Sequence, residues 1–211
     1  MSVFHAGKYS LPLGQKTYVM GIVNVTPDSF SDGGKWINPE KAAEHALLLQ
    51  EQGADFLDLG GQSTRPGYTP IGWRVEWARL EPVFALLKGK VQIPVSVDTF
   101  YPEVAERALE AGADIINDVT GFARQEMFSL AKQYDCGCII MHDQPRFETI
   151  RPFFARQLEK AVQFGLSPEQ VCFDPGVGFG KTYEENLRIV GELKTLLIPG
   201  TAMLVGASRK R

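Results

Sequence analysis

The sequence predicts an α/β fold of repeated strand–helix units arranged as a (βα)8 TIM barrel. Short β-rich runs alternate with longer amphipathic patterns, and each predicted strand is followed by a polar residue. Apolar strands separated by helices are typical of a parallel sheet that is covered on both faces. Polar residues at the carboxyl ends of all strands favour a barrel, whose strand ends share one active-site mouth, over an open doubly wound sheet.

The individual elements follow from these patterns. Several predicted helices begin with proline at the first helical position, where its missing N–H costs nothing. A Gly-Ala-Asp turn from helix to strand occurs twice, at 53–55 and 112–114, which indicates a repeated unit. Strands are predicted at 18–23, 56–59, 95–97, 115–116, 138–141, 171–173 and 203–205. Helices are predicted at 39–52, 75–87, 102–111, 127–133, 152–164 and 183–193.

Composition excludes several classes of protein. The 211 residues are 44% hydrophobic and 22% charged with a net charge of -3, which opposes disorder and nucleic-acid binding. No apolar stretch reaches the roughly 20 residues that cross a bilayer, and the first residues lack a signal-peptide pattern, so we expect a cytoplasmic protein that binds no membrane. Cys136 and Cys138 border an apolar run and Cys172 lies far away, so no disulfide or cysteine metal site is predicted.

We expect a single domain over residues 1–211, with residues 1–17 forming a hairpin before the first barrel strand. A TIM barrel typically takes about 250 residues, and this sequence stops soon after its seventh predicted strand. The eighth strand–helix unit is therefore expected to be missing. A barrel open at that point would expose two strand edges, so these 211 residues are expected to be marginally stable and to turn over poorly.

The segment 24–34 has the composition of a functional lid. It combines turn-forming residues with hydroxyls, carboxylates and the aromatic Phe30, and it has no periodicity. Asn24, Asp28 and Asp32 offer hard oxygen atoms, which suit a Mg²⁺ ion held mainly by the phosphates of a substrate.

Two acids end apolar strands, Asp98 and Asp174. A buried carboxylate costs several kcal/mol unless it meets a partner, so a ligand or cation is expected at each. A carboxylate can accept two parallel hydrogen bonds from an amino-pyrimidinone edge, Asn117 can donate and accept nearby, and Lys210 can meet a ring carbonyl or phosphate. These groups predict a site for a flat polar heterocycle. Asp58, inside a strand, is expected to make a structural hydrogen bond.

The glycine-rich segment 174–182 is not a phosphate-binding P-loop, because Pro175 stands where that motif needs its first glycine. Its glycines are instead expected to let the backbone approach a ligand, with Phe179 offering an aromatic surface. His142 follows a strand, and catalytic and structural roles are equally open for it.

Residues 20–34 and 58–67 resemble the two signatures of the dihydropteroate synthase family. Further matches at 96–99, 116–119, 141–142, 174–181 and 205–210 follow in the family's order, so the resemblance spans essentially the whole chain. It implies a (βα)8 barrel that joins 6-hydroxymethyl-7,8-dihydropterin pyrophosphate to 4-aminobenzoate. The products would be pyrophosphate and 7,8-dihydropteroate for folate synthesis. The resemblance also implies Mg²⁺, a homodimer and inhibition by sulfonamides.

Roles for single residues are implied by the same resemblance. The residues implied to bind the pterin are Asp98, Asn117, Met141, Asp174 and Lys210. Of these, Asp98, Asp174 and Lys210 are the expected catalytic residues. The residues implied to bind pyrophosphate and Mg²⁺ are Asn24, Asp28 and Asp32. The residues implied to line the aminobenzoate side of the site are Pro27, Phe30, Thr64, Arg65, Pro66, Phe179 and Ser208.

The sequence departs from the family at a few positions. Gln62 replaces the usual Glu of the second signature, residues 143–145 replace the usual Met-Xaa-Gly, and Arg211 replaces a small residue. The eighth strand with its Arg-Xaa-His pair is not found. Two alternatives stay open: a non-catalytic pterin-binding remnant, and a pterin-dependent corrinoid methyltransferase, which would not need the lid or the Ser-Thr-Arg-Pro-Gly loop.

Overall fold

The computed structural model describes residues 2–26, 38–63 and 69–207. The chain divides into two compact units, one of residues 16–117 and the other of residues 1–15 and 118–211. The strands are β1 (Val3–Ala6), β2 (Tyr9–Pro12), β3 (Met20–Asn24), β4 (Phe56–Gly60), β5 (Val95–Asp98), β6 (Ile115–Asp118), β7 (Gly137–Met141), β8 (Val171–Asp174) and β9 (Ala202–Met203). The α-helices are α1 (Pro39–Glu51), α2 (Trp73–Leu87), α3 (Pro102–Ala111), α4 (Glu126–Gln133), α5 (Phe147–Gln163), α6 (Tyr183–Gly191) and α7 (Leu193–Leu196).

Four parallel strands form the sheet of the unit of residues 16–117. Strands β3, β4, β5 and β6 pair in chain order, with a helix in each connection. All five residues of β4 are buried, as expected of a parallel strand covered on both faces. Helix α2 turns Leu80, Val83 and Phe84 toward this core. The predicted alternation of strands and helices is confirmed here.

The two Gly-Ala-Asp turns share one hydrogen-bond pattern. Their glycines have φ of 96° and 110°, a left-handed conformation that favours glycine. In the first turn the Asp55 amide donates to the Val19 carbonyl and Asp55 Oδ2 accepts from the Val19 amide at 2.9 Å. In the second, Asp114 makes the same pair of bonds with Val95. The repeat predicted from the sequence is therefore also a repeat of contacts at the amino ends of strands.

The other unit contains the hairpin and three parallel strands. Strands β1 and β2 pair antiparallel, as predicted. The hairpin lies against the start of β7, where a Cβ on Gly137 would lie 3.0 Å from the His5 carbonyl oxygen, a closer approach than most side chains make. Strands β7, β8 and β9 pair in chain order. The rings of Phe154 and Phe173 stack at 4.4 Å in this core, and the three cysteines are free and buried.

The predicted start of α5 is wrong by five residues. The sequence places Pro152 at the first helical position, but α5 begins at Phe147 and contains Pro152 in its second turn. The apolar face explains the earlier start, because Phe147, Ile150 and Phe154 are all buried while Pro152 faces solvent. Among the described residues, no helix is long and apolar enough to cross a membrane.

Candidate active site

The carboxyl ends of four strands align in one register row. Asn24 pairs with Gly60, Gly60 with Asp98, and Asp98 with Asn117. The sequence analysis places these residues just after the predicted strands. In the structure each is the last or the next-to-last residue of its strand. A Cβ on Gly60 would lie 3.5 Å from Asp98 Oδ2 and 3.7 Å from Asn24 Oδ1. Two oxygen atoms therefore border the small space that glycine leaves open.

Asp58 lies on β4 two residues before Gly60, and its carboxylate orients the side chain of Asn117. Asn117 Nδ2 lies 3.3 Å from both carboxylate oxygens of Asp58 and donates to them. Burial raises the pKa of Asp58, and hydrogen bonds from Ser96 and Asn117 oppose the shift. The predicted structural hydrogen bond of Asp58 is confirmed. Because the amide nitrogen faces Asp58, the carbonyl oxygen of Asn117 is the end that can accept from a ligand.

In the unit of residues 1–15 and 118–211, Met141 and Asp174 are register partners at the ends of β7 and β8. Asp174 is only 8% exposed, and its Oδ1 accepts a hydrogen bond from the Gly176 amide at 2.7 Å. Gly176 has φ of 70°, and a Cβ on it would lie 2.2 Å from the His142 carbonyl oxygen. Only glycine fits this turn, so the backbone after β8 holds the Asp174 carboxylate in place.

Lys181 is a cation that the sequence reasoning left without a role. Its Nζ donates to the carbonyl oxygens of His142, at 2.9 Å, and Phe179, at 3.2 Å. Burial lowers the pKa of Lys181 to about 8, and nearby carboxylates, Asp174 first among them, oppose the shift. The available signal is a lysine within a glycine-rich turn next to a strand-end acid.

His142 has the surroundings of a structural residue. It is fully buried, its Nε2 lies 3.0 Å from Thr149 Oγ1, and its ring meets Phe153 edge-on at 5.3 Å. Burial, together with the charges of Lys181 and Arg156, lowers the pKa of His142 to about 4. The imidazole is therefore neutral at physiological pH, and of its two open roles the geometry favours the structural one.

Asp118 is the acid beside Asn117 in the sequence, but it serves its own loop. Its Oδ1 accepts from the amide and the hydroxyl of Thr120, each at 2.7 Å, and its Oδ2 accepts from the Phe122 amide at 3.1 Å. Burial raises the pKa of Asp118 to about 6, with these bonds opposing. Of the Asn117-Asp118 pair, Asn117 is therefore the candidate for ligand binding.

A second missed residue is Glu76, a carboxyl on the buried face of α2. It is 1% exposed and stands one turn before Leu80 on that face. Burial raises its pKa to about 7, while Thr99 and Arg79 oppose the shift. Its spacing from Leu80 and Val83 was the available signal, because a residue at that spacing shares the apolar face of the helix.

Many of the predicted site residues lie outside the described part of the chain. These are Pro27, Asp28, Phe30, Asp32, Thr64, Arg65, Pro66, Ser208 and Lys210. Phe179 is described and half-buried, and its amide donates to the Gly176 carbonyl at 3.1 Å. Within the described residues, no group of three or more His, Cys, Asp or Glu side chains is arranged to hold a metal ion.

Parallel strand–helix units whose strand ends carry acids and amides are typical of α/β enzymes, which bind their ligands at the carboxyl ends of the strands. A family model described as "Pterin binding enzyme" matches residues 20–211. The chain is 40% identical to the dihydropteroate synthase of Clostridium beijerinckii, and the match covers 97% of this chain and 78% of that relative. The chain belongs to the dihydropteroate synthase family, as its motifs predict.

Solved structures support the same family. The dihydropteroate synthase of Xanthomonas albilineans with 4-aminobenzoic acid is 38% identical with a TM-score of 0.92, covering 100% of this chain and 80% of that one. The same enzyme in complex with 7,8-dihydropteroate is 36% identical with a TM-score of 0.88, covering 99% of this chain and 79% of that one. The predicted fold class is therefore confirmed by structures of the family.

Proposed function

We propose that this chain condenses 6-hydroxymethyl-7,8-dihydropterin pyrophosphate with 4-aminobenzoate. The observation that carries the proposal is the register row of Asn24, Gly60, Asp98 and Asn117. It sets an acid and an amide side by side at strand ends, next to a space that a glycine leaves open. The relatives solved with 4-aminobenzoic acid and with 7,8-dihydropteroate support the choice of reactants.

Each pterin residue has a physical role in the proposal. Asp98 and Asp174 accept hydrogen bonds from ring N–H and amino groups, and Asn117 accepts through its carbonyl oxygen. Met141 offers apolar contact to the ring. Lys210 supplies positive charge for a ring carbonyl or a phosphate. Asp98, Asp174 and Lys210 are the proposed catalytic residues, because they would contact the electron-rich ring that shares the charge developing at its methylene carbon.

At the methylene carbon the reaction breaks a C–O bond and forms a C–N bond, and the amine nitrogen gives up one proton. The methylene C–O bond breaks, and pyrophosphate leaves with the electron pair. The amine nitrogen of aminobenzoate then bonds to the methylene carbon and loses a proton to solvent. Because an aniline nitrogen is only weakly basic, it is unprotonated at neutral pH and its lone pair can attack without the help of a strong base.

Two described residues offer oxygen atoms of the kind that Mg²⁺ prefers, which supports the proposed use of this ion. Asn24 Oδ1 and Asp98 Oδ2 border the same space at Gly60, and carboxylate and amide oxygens are the ligands that Mg²⁺ prefers. We assign the ion and the pyrophosphate to Asn24, Asp28 and Asp32. When bound, Mg²⁺ neutralises charge on the departing pyrophosphate. Asn24 itself orients a phosphate oxygen by donating through its amide nitrogen.

The aminobenzoate side is assigned by motif. Arg65 offers a planar cation to the substrate's carboxylate, and Phe179 offers an aromatic surface to its ring. The other proposed contacts are Pro27, Phe30, Thr64, Pro66 and Ser208. A sulfonamide that resembles aminobenzoate would compete at this site, so it should raise the KM for aminobenzoate and leave kcat unchanged.

We also propose a single cytoplasmic domain that forms a homodimer. Three free, buried cysteines suit a reducing compartment. Tyr183, Leu187 and Val190 of α6 are 64%, 56% and 54% exposed and share one helix face, which offers apolar surface to a second copy. One cooperative unfolding transition would support a single domain, and separate transitions would contradict it. A dimer in sedimentation would support the homodimer, and a monomer would contradict it.

The decisive test is product formation. The 211-residue chain is incubated with the pterin pyrophosphate and Mg²⁺, with and without aminobenzoate, while pyrophosphate and dihydropteroate are measured. Aminobenzoate-dependent release of both products supports a synthase. Pterin binding without turnover would favour a non-catalytic pterin-binding protein, and methyl transfer from a methylated folate to a corrinoid would favour the methyltransferase.

A further inference from the structure

The turn after β8 is tied to the end of β7 by hydrogen bonds around one backbone position. The His142 amide donates to the Asp174 carbonyl oxygen at 2.8 Å, and the His142 carbonyl oxygen accepts from Lys181 Nζ at 2.9 Å. The same ammonium donates to the Phe179 carbonyl oxygen at 3.2 Å. Lys181 therefore joins its own turn to a segment that lies 39 residues away in the sequence.

The ammonium of Lys181 lies beside the glycine that holds the Asp174 carboxylate. The Gly176 amide donates to Asp174 Oδ1 at 2.7 Å. A Cβ built on Gly176 would lie 3.0 Å from Lys181 Nζ and 2.2 Å from the His142 carbonyl oxygen, so backbone and ammonium approach this glycine closely. A shift of this stretch of backbone would move the amide that orients the carboxylate. The two bonds made by Lys181 oppose such a shift.

The charge of Lys181 also acts on Asp174. Of the carboxylates whose charges oppose the fall in the pKa of Lys181, Asp174 has the largest effect, followed by Asp143 and Glu185. Glu185 also accepts a hydrogen bond from the Phe147 amide at 2.8 Å. Asp174 is buried at a strand end, where an ionised carboxylate is costly unless a cation or donors compensate it. Because its pKa is about 8, Lys181 is mostly protonated at pH 7 and supplies such a cation.

We propose that Lys181 is a positioning residue for the Asp174 carboxylate and, through it, for the pterin ring. Its two carbonyl bonds fix the backbone of the turn, and its charge favours the ionised carboxylate that accepts hydrogen bonds from the ring. The proposal rests on the function proposed above. In this role Lys181 contacts no reacting atom, so its loss should weaken pterin binding by way of Asp174.

Three variants separate this role from the loss of any lysine. Lys181→Met removes the ammonium at similar length, and Lys181→Arg keeps a cation with N–H donors. Lys160→Met is the matched control, because Lys160 is an exposed lysine of α5 in the same unit. In calorimetry with the pterin pyrophosphate and Mg²⁺, Lys181→Met should bind on the order of tenfold more weakly. Lys181→Arg should lose no more than about threefold, and Lys160→Met should match the wild type.

A double substitution tests whether Lys181 acts through Asp174. In the Asp174→Asn background, Lys181→Met should weaken pterin binding by no more than about twofold further, because the carboxylate that it positions is gone. The same tenfold loss in both backgrounds would overturn the proposal. Undiminished binding in Lys181→Met, with weakened binding in Asp174→Asn, would overturn the positioning role alone. Because binding is measured without turnover, a wild type that binds the pterin but forms no dihydropteroate would overturn the proposed reaction and not this role.

Hydrogen exchange at the Gly176 amide gives a readout that needs no ligand. Lys181→Met should speed exchange there on the order of tenfold, and Lys181→Arg should preserve protection. The Thr120 amide, which donates to Asp118 in another turn, should be unaffected, so a general loss of structure would be recognised. Lys181→Gln, which loses the charge, replaces Lys181→Met if that variant does not fold, and it should also weaken pterin binding severalfold. Unchanged exchange at Gly176 in the folded variant would overturn the positioning role.

Discussion

Replacing Glu76 by Gln should make stability less dependent on pH. Glu76 is 1% exposed, and burial raises its pKa from an ordinary 4.5 to about 7. An acid with a raised pKa binds its proton more tightly in the folded chain than in the unfolded chain. The free energy of unfolding therefore falls as pH rises from 4.5 toward 7, and it levels off above that. A glutamine has nearly the same size but cannot titrate, so in the variant this residue no longer lowers the free energy of unfolding as the pH rises.

The size of the effect follows from the two pKa values. Each pKa unit corresponds to about 1.36 kcal/mol, so the shift at Glu76 amounts to about 3 kcal/mol at pH 8 and about 1 kcal/mol at pH 5. The free energy of unfolding of the variant, relative to wild type, should therefore rise by about 2 kcal/mol between pH 5 and pH 8. Any fixed cost of burying the new amide cancels in this comparison.

Urea unfolding at several pH values would measure the effect. Glu81→Gln is the matched control, because Glu81 lies on the same helix but is exposed. This exposed substitution controls for the loss of one charge from the helix. If Glu76→Gln differed from wild type by the same amount at pH 5 and pH 8, Glu76 would titrate normally and the reasoning about its burial would be wrong.

The remaining predictions concern the strand ends. Asp174→Asn should weaken pterin binding by about 2 to 4 kcal/mol in calorimetry, because a hydrogen-bonded charge is lost from a buried site; undiminished binding would remove Asp174 from the site. Asp58→Ala should lower pterin affinity on the order of tenfold, since Asn117 loses the acceptor that orients it; equal affinity would show that Asn117 needs no such support. Gly176→Ala should destabilise the fold by about 3 kcal/mol or more in urea, because its Cβ would lie 2.2 Å from a carbonyl oxygen, whereas Gly191→Ala, with nothing within 4 Å, should cost little.

The strand ends could be predicted because two independent signals agree there. Apolar runs mark the strands, and an acid or amide interrupts each run where it meets solvent, so Asp98, Asn117 and Asp174 stand out in the sequence. Their register could not be predicted, since it depends on which residues pair across strands. The structure adds that Gly60 separates Asn24 from Asp98 in the row.

The contacts that support the site were not visible in the sequence. The bond between Gln62 and Ile71 joins residues nine apart with no periodic pattern. A carboxyl on the apolar face of a helix is rare, so the amphipathic pattern of α2 alone does not mark Glu76 as buried. Rejecting the P-loop motif leaves Lys181 without a predicted contact. In each case tertiary packing, which local pattern does not encode, decides the surroundings of the side chain.

The glycines at the strand ends separate the demands of folding from those of ligand binding. At Gly61 and Gly176 a Cβ would lie 2.9 Å and 2.2 Å from its nearest neighbour, so the fold itself requires glycine. At Gly60 the nearest atom would be 3.5 Å away, which is an ordinary contact, so the fold tolerates alanine there. Gly60→Ala should therefore unfold at nearly the wild-type urea concentration, yet it should lower affinity for the pterin pyrophosphate with Mg²⁺ on the order of tenfold, because the methyl group fills the space beside Asn24 and Asp98. Full affinity in a stable variant would mean that no ligand occupies this space.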